Sequence, residues 1–295
     1  MMGKISVVIN TFNEEKNIER VIKSVKWADE ILVCDMQSED KTVSIARVLG
    51  AKVISHKNMG FVEPGRNFAI SKAMGDWILI LDADEELPIS LSQRLQELAK
   101  KDIEADFVEI SRKNVIFNKW IENTGWWPDY QIRFFRKGKV SWNNEIHGKP
   151  KTNGAGLTLE PEEQWSIIHH NYQSVSDYLD KMSRYTNVQA QELLKSDYQF
   201  RKQDLFEKPL SEFLSRYFSN QGYKDGLHGL SLSLLQAFSF FVLYLRIWEK
   251  TGFKKHDLDL TEFEKEKKVI GSDVDYWINH IKGGTLKKFI KIFKK

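Results

Sequence analysis

The chain passes abruptly from apolar to acidic at one point, where Trp77-Ile78-Leu79-Ile80-Leu81 runs straight into Asp82-Ala83-Asp84-Glu85-Glu86. A run this short and this continuously apolar fits a strand buried on both faces. Its end therefore delivers several carboxylates into one small volume, and like charges so close repel unless a cation sits among them. An all-oxygen cluster selects a hard divalent ion, Mg²⁺ or Mn²⁺, and such ions commonly hold a phosphate too. A second reading is purely local: an Asp N-cap with acids in the first turn of a helix beginning near Pro88, where they complement the helix dipole. The junction alone allows both.

The elements that must position it alternate short β-branched runs with amphipathic stretches. The pattern predicts strands at Ile5–Ile9, Ile31–Cys34, Lys52–Ser55 and Trp77–Leu81, and helices over Glu14–Val25, Lys41–Leu49 and Gly65–Ala73. This is βαβ logic, hence an α/β fold with a mostly parallel, Rossmann-like central sheet and flanking helices. Ligands bind such sheets at the carboxyl ends of the strands, and here those ends carry Asn10-Thr11, Asp35, His56 and Asp82. The first turn, Asn10-Thr11-Phe12-Asn13-Glu14, holds no Gly-x-Gly-x-x-Gly, which argues against NAD. With no P-loop lysine either, phosphates would be neutralised by a metal at the aspartates or by arginines such as Arg66.

Composition narrows the classes further. The 295 residues can bury a large core, and a formal net charge of +3 is too small to suggest a nucleic-acid partner. The single cysteine, Cys34, lies in an apolar run, which fits a buried thiol in a reducing compartment rather than a disulfide framework. The sequence begins Met1-Met2-Gly3-Lys4 and enters strand-like residues without a signal-peptide apolar region, so a cytoplasmic location is expected.

Taken in order, Asn10-Thr11-Phe12-Asn13-Glu14-Glu15, Asp35 with Ser38-Glu39-Asp40-Lys41-Thr42, Gly65-Arg66-Asn67 and Asp82-Ala83-Asp84 resemble family 2 glycosyltransferases of the GT-A fold. The resemblance continues through Pro128–Gly138 and Ile146-His147-Gly148 to His169, Tyr172 and Lys181–Thr186, and is closest to the bacterial subgroup that builds lipopolysaccharide core and related surface glycans. It implies a nucleotide-diphosphate sugar, with uracil as the expected base, bound over the strand ends. By position, Asp35 would hold the base, Thr11, Asn13 and Glu14 would line the nucleotide pocket, and Arg66 would approach the diphosphate. Asp82 would reach the ribose, and Asp84, with Asp82 beside it, the divalent ion. The sequence departs from the commoner family pattern at Met36-Gln37, where a second Asp and a Gly usually stand, and at Gly148, where many relatives have Glu.

Inverting glycosyl transfer needs a base on the acceptor hydroxyl and stabilisation of the departing nucleoside diphosphate. Asp129 is the preferred base: it follows Trp126-Trp127-Pro128, whose aromatic faces would stack on an acceptor sugar, and Glu145 is the alternative. His147 is a candidate third metal ligand or diphosphate contact. In the strand-like pair His169-His170 the side chains point to opposite faces, and His169 is the one expected to face the site. Arg133 and Arg136 either hold phosphate or brace the sheet. Glu85 and Glu86 are left to helix capping or surface solvation.

The catalytic domain is expected over residues 1–200 and a helical, membrane-associating region over 201–295. Leu227–Leu245 is nearly uncharged and just reaches the ~20 residues of a bilayer span, but His228, Gln236 and three serines favour a helix lying in the interface or packed on the protein. Leu286, Phe289, Ile290 and Phe293 recur at helical spacing among lysines, the pattern of a basic amphipathic helix on anionic lipid. The expected activity is metal-assisted, inverting transfer from a UDP-sugar to a lipid-linked or lipopolysaccharide-core acceptor at the cytoplasmic face of the membrane. The alternatives are a polyprenyl-phosphate or peptide glycosyltransferase with the same donor site, or a sugar-nucleotide or carbohydrate-binding module without turnover.

Overall fold

A computed structural model describes residues 3–58, 63–101, 103–142 and 150–257, together with 264, 271–272 and 276–277. Glu145, His147 and the Leu286–Lys295 segment lie outside the described residues. The chain divides into two compact units, one of residues 1–122 and 126–175, the other of residues 123–125 and 176–295. The division falls before residue 200, so the long helix that follows residue 175 belongs with the second unit.

The first unit is built on strands β1 (Ile5–Thr11), β2 (Glu30–Asp35), β3 (Lys52–Ser55), β4 (Trp77–Asp82), β5 (Glu85–Glu86), β6 (Phe107–Ile116), β7 (Lys119–Trp120), β8 (Asp129–Arg136), β9 (Val140–Ser141), β10 (Lys151–Thr152), β11 (Gly156–Thr158) and β12 (Ile167–Tyr172). Its main sheet runs β3-β2-β1-β4-β8-β6-β12-β5. The first four are parallel, β8 enters antiparallel between β4 and β6, and β12 lies parallel to β6. Strands β7 and β11 also pair with β6, and β9 with β10 forms a separate ribbon.

Alternation along the central strands explains their unbroken apolarity. Val7, Ile9, Leu79 and Leu81 pack into one core with helices α1 (Ile18–Ser24), α2 (Thr42–Val48) and α4 (Ile89–Lys100). Val8, Ile78, Ile80 and Cys34 pack into a second core with Ala69, Ile70 and Ala73 of α3 (Glu63–Lys72). Each such fully buried aliphatic side chain contributes roughly 1.5–3 kcal/mol of transfer free energy. Cys34 is a structural thiol: burial, followed by the charge of Asp35, pushes its pKa up to about 11. Gly75 sets the entry to β4, because a Cβ there would lie 2.6 Å from the Ser6 amide.

Two expectations change. Helix α1 begins at Ile18, not Glu14, because the Glu14 and Glu15 amides bond the side chains of Thr42 and Asp40 across the neighbouring loop. The helix after the acidic turn starts at Ile89 with Pro88 at its N-cap and no capping side chain, while Glu85-Glu86 pair antiparallel with β12. The acids of the junction therefore do not cap that helix.

The second unit holds α5 (Val175–Lys195), α6 (Asp204–Leu214) and α7 (Leu227–Lys250). Ala190, Leu243, Tyr244 and Ile247 form one of its cores, and Leu214, Tyr217 and Phe218 another. Asp225 accepts hydrogen bonds from the Asn123 amide at 3.0 Å and the Thr124 hydroxyl at 3.0 Å, which holds the 123–125 loop in this unit. Gly226, at φ +65°, makes the turn into α7 that a side chain would strain. Among the described residues α7 is the one helix long and apolar enough to cross a membrane. One of its faces packs in the unit, and Leu234 and Phe238, a turn apart, are 52% and 47% exposed.

Candidate active site

Parallel register brings the expected donor-binding residues to one edge. Thr11 lies beside Asp35 and Asn10 beside Asp82 at the carboxyl ends of β2, β1 and β4. Asp35 accepts from the Gln37 and Ser38 amides, closing the loop after β2. Asn13 takes a left-handed backbone at φ 54°, receives the Glu39 amide on its side chain and donates its own amide to Ser38. Glu14 is tied to Thr42 in the same clasp. Both side-chain polar atoms of Asn10, and the Thr11 hydroxyl, are buried at this edge without a hydrogen-bond partner among the described residues.

From Asp82 a chain of alternating charges crosses the sheet. Arg66 meets its Oδ1 at 2.5 Å and Arg133 its Oδ2 at 2.7 Å. Arg133 continues to Glu85 Oε1 at 2.6 Å, which also lies 3.5 Å from Arg112. Arg112 grips Asp129 Oδ2 through Nε and Nη2, at 2.8 and 2.5 Å. Burial works to raise the Asp82 pKa, but Arg133 and then Arg66 outweigh it and hold the carboxyl well below the usual range. For Arg133 burial works downward, and Asp82 with Glu85 drive its pKa up. This pattern corrects one expectation. Glu85 is not a solvated surface acid: its side chain is 0% exposed and compensates two arginines. Asp82, expected beside Asp84 at the metal, has both oxygens committed to guanidinium groups, as Arg66 has its Nη2 to Asp82.

Asp129 sits where this chain ends. Arg112 and the Asn114 amide both hold Oδ2, the latter at 3.2 Å, while Oδ1 accepts from Gln131 at 2.9 Å. One oxygen is thus anchored and the other has a lone pair to spare. Burial raises the pKa of Asp129, and Arg112 with the amides of Asn114 and Gln131 overcomes it, so the group stays ionised below the ordinary carboxylate range.

Asn114 also carries the network to the other carboxylate. Its Nδ2 donates to the Trp126 carbonyl at 2.9 Å and toward Asp129, which turns its Oδ1 to His169 Nδ1 at 2.7 Å. His169 Nε2 lies 3.6 Å from Asp84 Oδ2, outside hydrogen-bond distance. Its neighbour His170 faces the other way, to Glu86 at 3.0 Å, as strand alternation requires. Among the described residues no three His, Cys, Asp or Glu side chains converge as a metal cage. The Asp84–His169 pair nevertheless fits one: a carboxylate oxygen and an imidazole nitrogen, too far apart to bond each other, offer two donors to an ion that takes its other ligands from water and phosphate. Sequence reasoning missed Glu85 and Asn114; a polar Asn between Lys113 and Val115 in a β-branched strand was the available signal.

Residues 6–157 match the family described as Glycosyl transferase family 2. An uncharacterised glycosyltransferase of Rickettsia typhi is 29% identical over 260 residues, covering 84% of this chain and 88% of that protein. The lipopolysaccharide core biosynthesis glycosyltransferase LpsC of Rhizobium meliloti is 23% identical over 268 residues, covering 85% and 94%. Mannosyltransferase PcManGT from Pyrobaculum calidifontis, solved with GDP-Man and Mn²⁺, aligns over 86% of this chain and 89% of its own at 13% identity and a TM-score of 0.49. With the family matched over more than half its length and a mostly parallel sheet gathering the expected residues at its carboxyl edge, the chain belongs to glycosyltransferase family 2, a nucleotide-sugar-dependent transferase of the GT-A fold.

Proposed function

We propose that this glycosyltransferase moves a sugar from a UDP-sugar, with inversion and with Mn²⁺ or Mg²⁺, to a lipopolysaccharide-core or lipid-linked saccharide. The observation that carries the metal-assisted reading is the facing of Asp84 Oδ2 and His169 Nε2 at 3.6 Å beside the strand ends. The donor nucleotide lies over Thr11, Asn13, Glu14 and Asp35. Asp82, locked between Arg66 and Arg133, is a fixed wall of the donor pocket, and Asp84 with His169 would hold the ion. A carboxylate and an imidazole together suit Mn²⁺ better than Mg²⁺. When bound, the ion supplies Lewis-acid neutralisation of the leaving diphosphate.

The chain's own residues supply the rest. Asp129, ionised at neutral pH and anchored through Oδ2, takes the acceptor proton on Oδ1. The lipopolysaccharide-core acceptor is supported by the likeness to LpsC. A position at the cytoplasmic face of the membrane is supported by the exposed apolar stripe of α7, with Leu234 and Phe238 on it.

A thermal-shift screen of UDP- and GDP-sugars, with and without Mn²⁺, followed by slow donor hydrolysis, tests this. A UDP-sugar should raise the melting temperature only with the metal present and should be hydrolysed. Binding that ignores Mn²⁺, or a preference for guanine, would sink the donor and metal assignments.

A further inference from the structure

We infer that Asn114 is a positioning residue: it fixes His169 as the tautomer with its proton on Nδ1, so that the Nε2 lone pair is presented toward Asp84. The tautomer follows from hydrogen-bond polarity alone. The Asn114 Nδ2 group faces two acceptors, the Trp126 carbonyl at 2.9 Å and Asp129 Oδ2 at 3.2 Å, so the carbonyl end of the amide is the one at His169. That carbonyl oxygen, 2.7 Å from Nδ1, can only accept, so Nδ1 donates. A neutral imidazole that donates from Nδ1 has its lone pair on Nε2, the atom that points at Asp84. An unconstrained imidazole prefers its proton on Nε2, which would place an N–H against the ion.

The placement of Asn114 makes the arrangement hard to undo. It is fully buried on β6, and its register partner on β12 is His169 itself. Rotating the amide would set its NH₂ group against the Nδ1 hydrogen and its oxygen against the Trp126 carbonyl and the Asp129 carboxylate, three repulsions at once. One buried amide thereby joins the base, Asp129, to the metal-side imidazole. The consequence for metal affinity rests on the proposed Asp84–His169 ion site; the tautomer does not.

The test uses the full chain and two readouts. In the metal-free protein, ¹⁵N NMR of the imidazoles, with the His169 signals assigned by their loss in His169→Gln, should show neutral His169 protonated on Nδ1; an Nε2–H signature overturns the inference whatever the metal does. Mn²⁺ titration followed by EPR should then show Asn114→Leu binding the ion about 10- to 100-fold more weakly than wild type, as loss of an orienting partner does. Asn114→Gln, which keeps an acceptor oxygen for Nδ1 and a donor for the Trp126 carbonyl, should recover part of that affinity. Equal Mn²⁺ affinity in wild type and Asn114→Leu overturns the positioning role. Wild type that binds no Mn²⁺ while showing Nδ1–H overturns the ion site and the role together, and so separates that failure from a wrong tautomer.

Discussion

Asp82 and Asp84 are two residues apart and live in opposite electrostatic settings. Asp82 is held by two guanidinium groups in a buried chain that runs on through Glu85 and Arg112 to Asp129. Asp84 faces an imidazole nitrogen across 3.6 Å. The difference teaches how one acidic turn serves two purposes. Where fixed cations match the carboxylates, the charge is structural and its removal is felt as lost stability. Where a carboxylate faces an imidazole nitrogen across a gap too wide for a hydrogen bond, the proposed function reads the pair as donors for an ion.

The largest test of this contrast is at the point where the two settings meet. Asp129→Asn should lower the transfer rate about 10²- to 10⁴-fold, as loss of a general base does, with donor affinity unchanged in equilibrium titration. A loss under tenfold would make Asp129 a brace alone. Arg133→Leu should cost about 3 kcal/mol in chemical denaturation, because buried Glu85 would lose its nearest guanidinium and keep only Arg112 at 3.5 Å, and Asp82 would keep only Arg66. Asp84→Asn should differ in kind, changing intrinsic stability by no more than about 1 kcal/mol. It should abolish the roughly 2.7 kcal/mol that Mn²⁺ at a hundred times its dissociation constant confers on wild type. Similar stability losses in Arg133→Leu and Asp84→Asn would erase the distinction.

The smallest effect is in pH. Asp82 and Asp129 have folded-state pKa values below their unfolded ones, so their stabilisation is complete above the unfolded value of about 3.9 and fades as pH falls through the folded values. Melting temperature should therefore draw no loss from these groups between pH 8 and 5, and should drop below about pH 4. A decline centred near pH 6 would place the titrating charge elsewhere.

Much of this was legible in the sequence because burial on both faces writes itself as unbroken apolar runs. β1, β2 and β4, and the polar residues ending them, could be read from Ile5, Ile31 and Trp77 onward. Glu85 could not: a two-residue strand has no periodicity, so its register with β12, which turns the side chain inward to Arg133 and Arg112, is a tertiary fact. The Arg133 partners were equally hidden, since β8 is inserted antiparallel beside β4 from about 50 residues further along the chain. His169 was readable by alternation, but its partner Asn114 lies 55 residues away on a strand that only pairing identifies.

The brevity of β5 also bears on how separate copies of the protein meet. An exposed sheet edge is a row of unpaired amides and carbonyls that recruits strands from other chains. Among the described residues two of this sheet's edge strands are β5, two glutamates, and β3, four residues beginning with Lys52. Two residues, both acidic, are too few and too charged to template a foreign strand, so the acidic turn also blunts the β5 edge against aggregation.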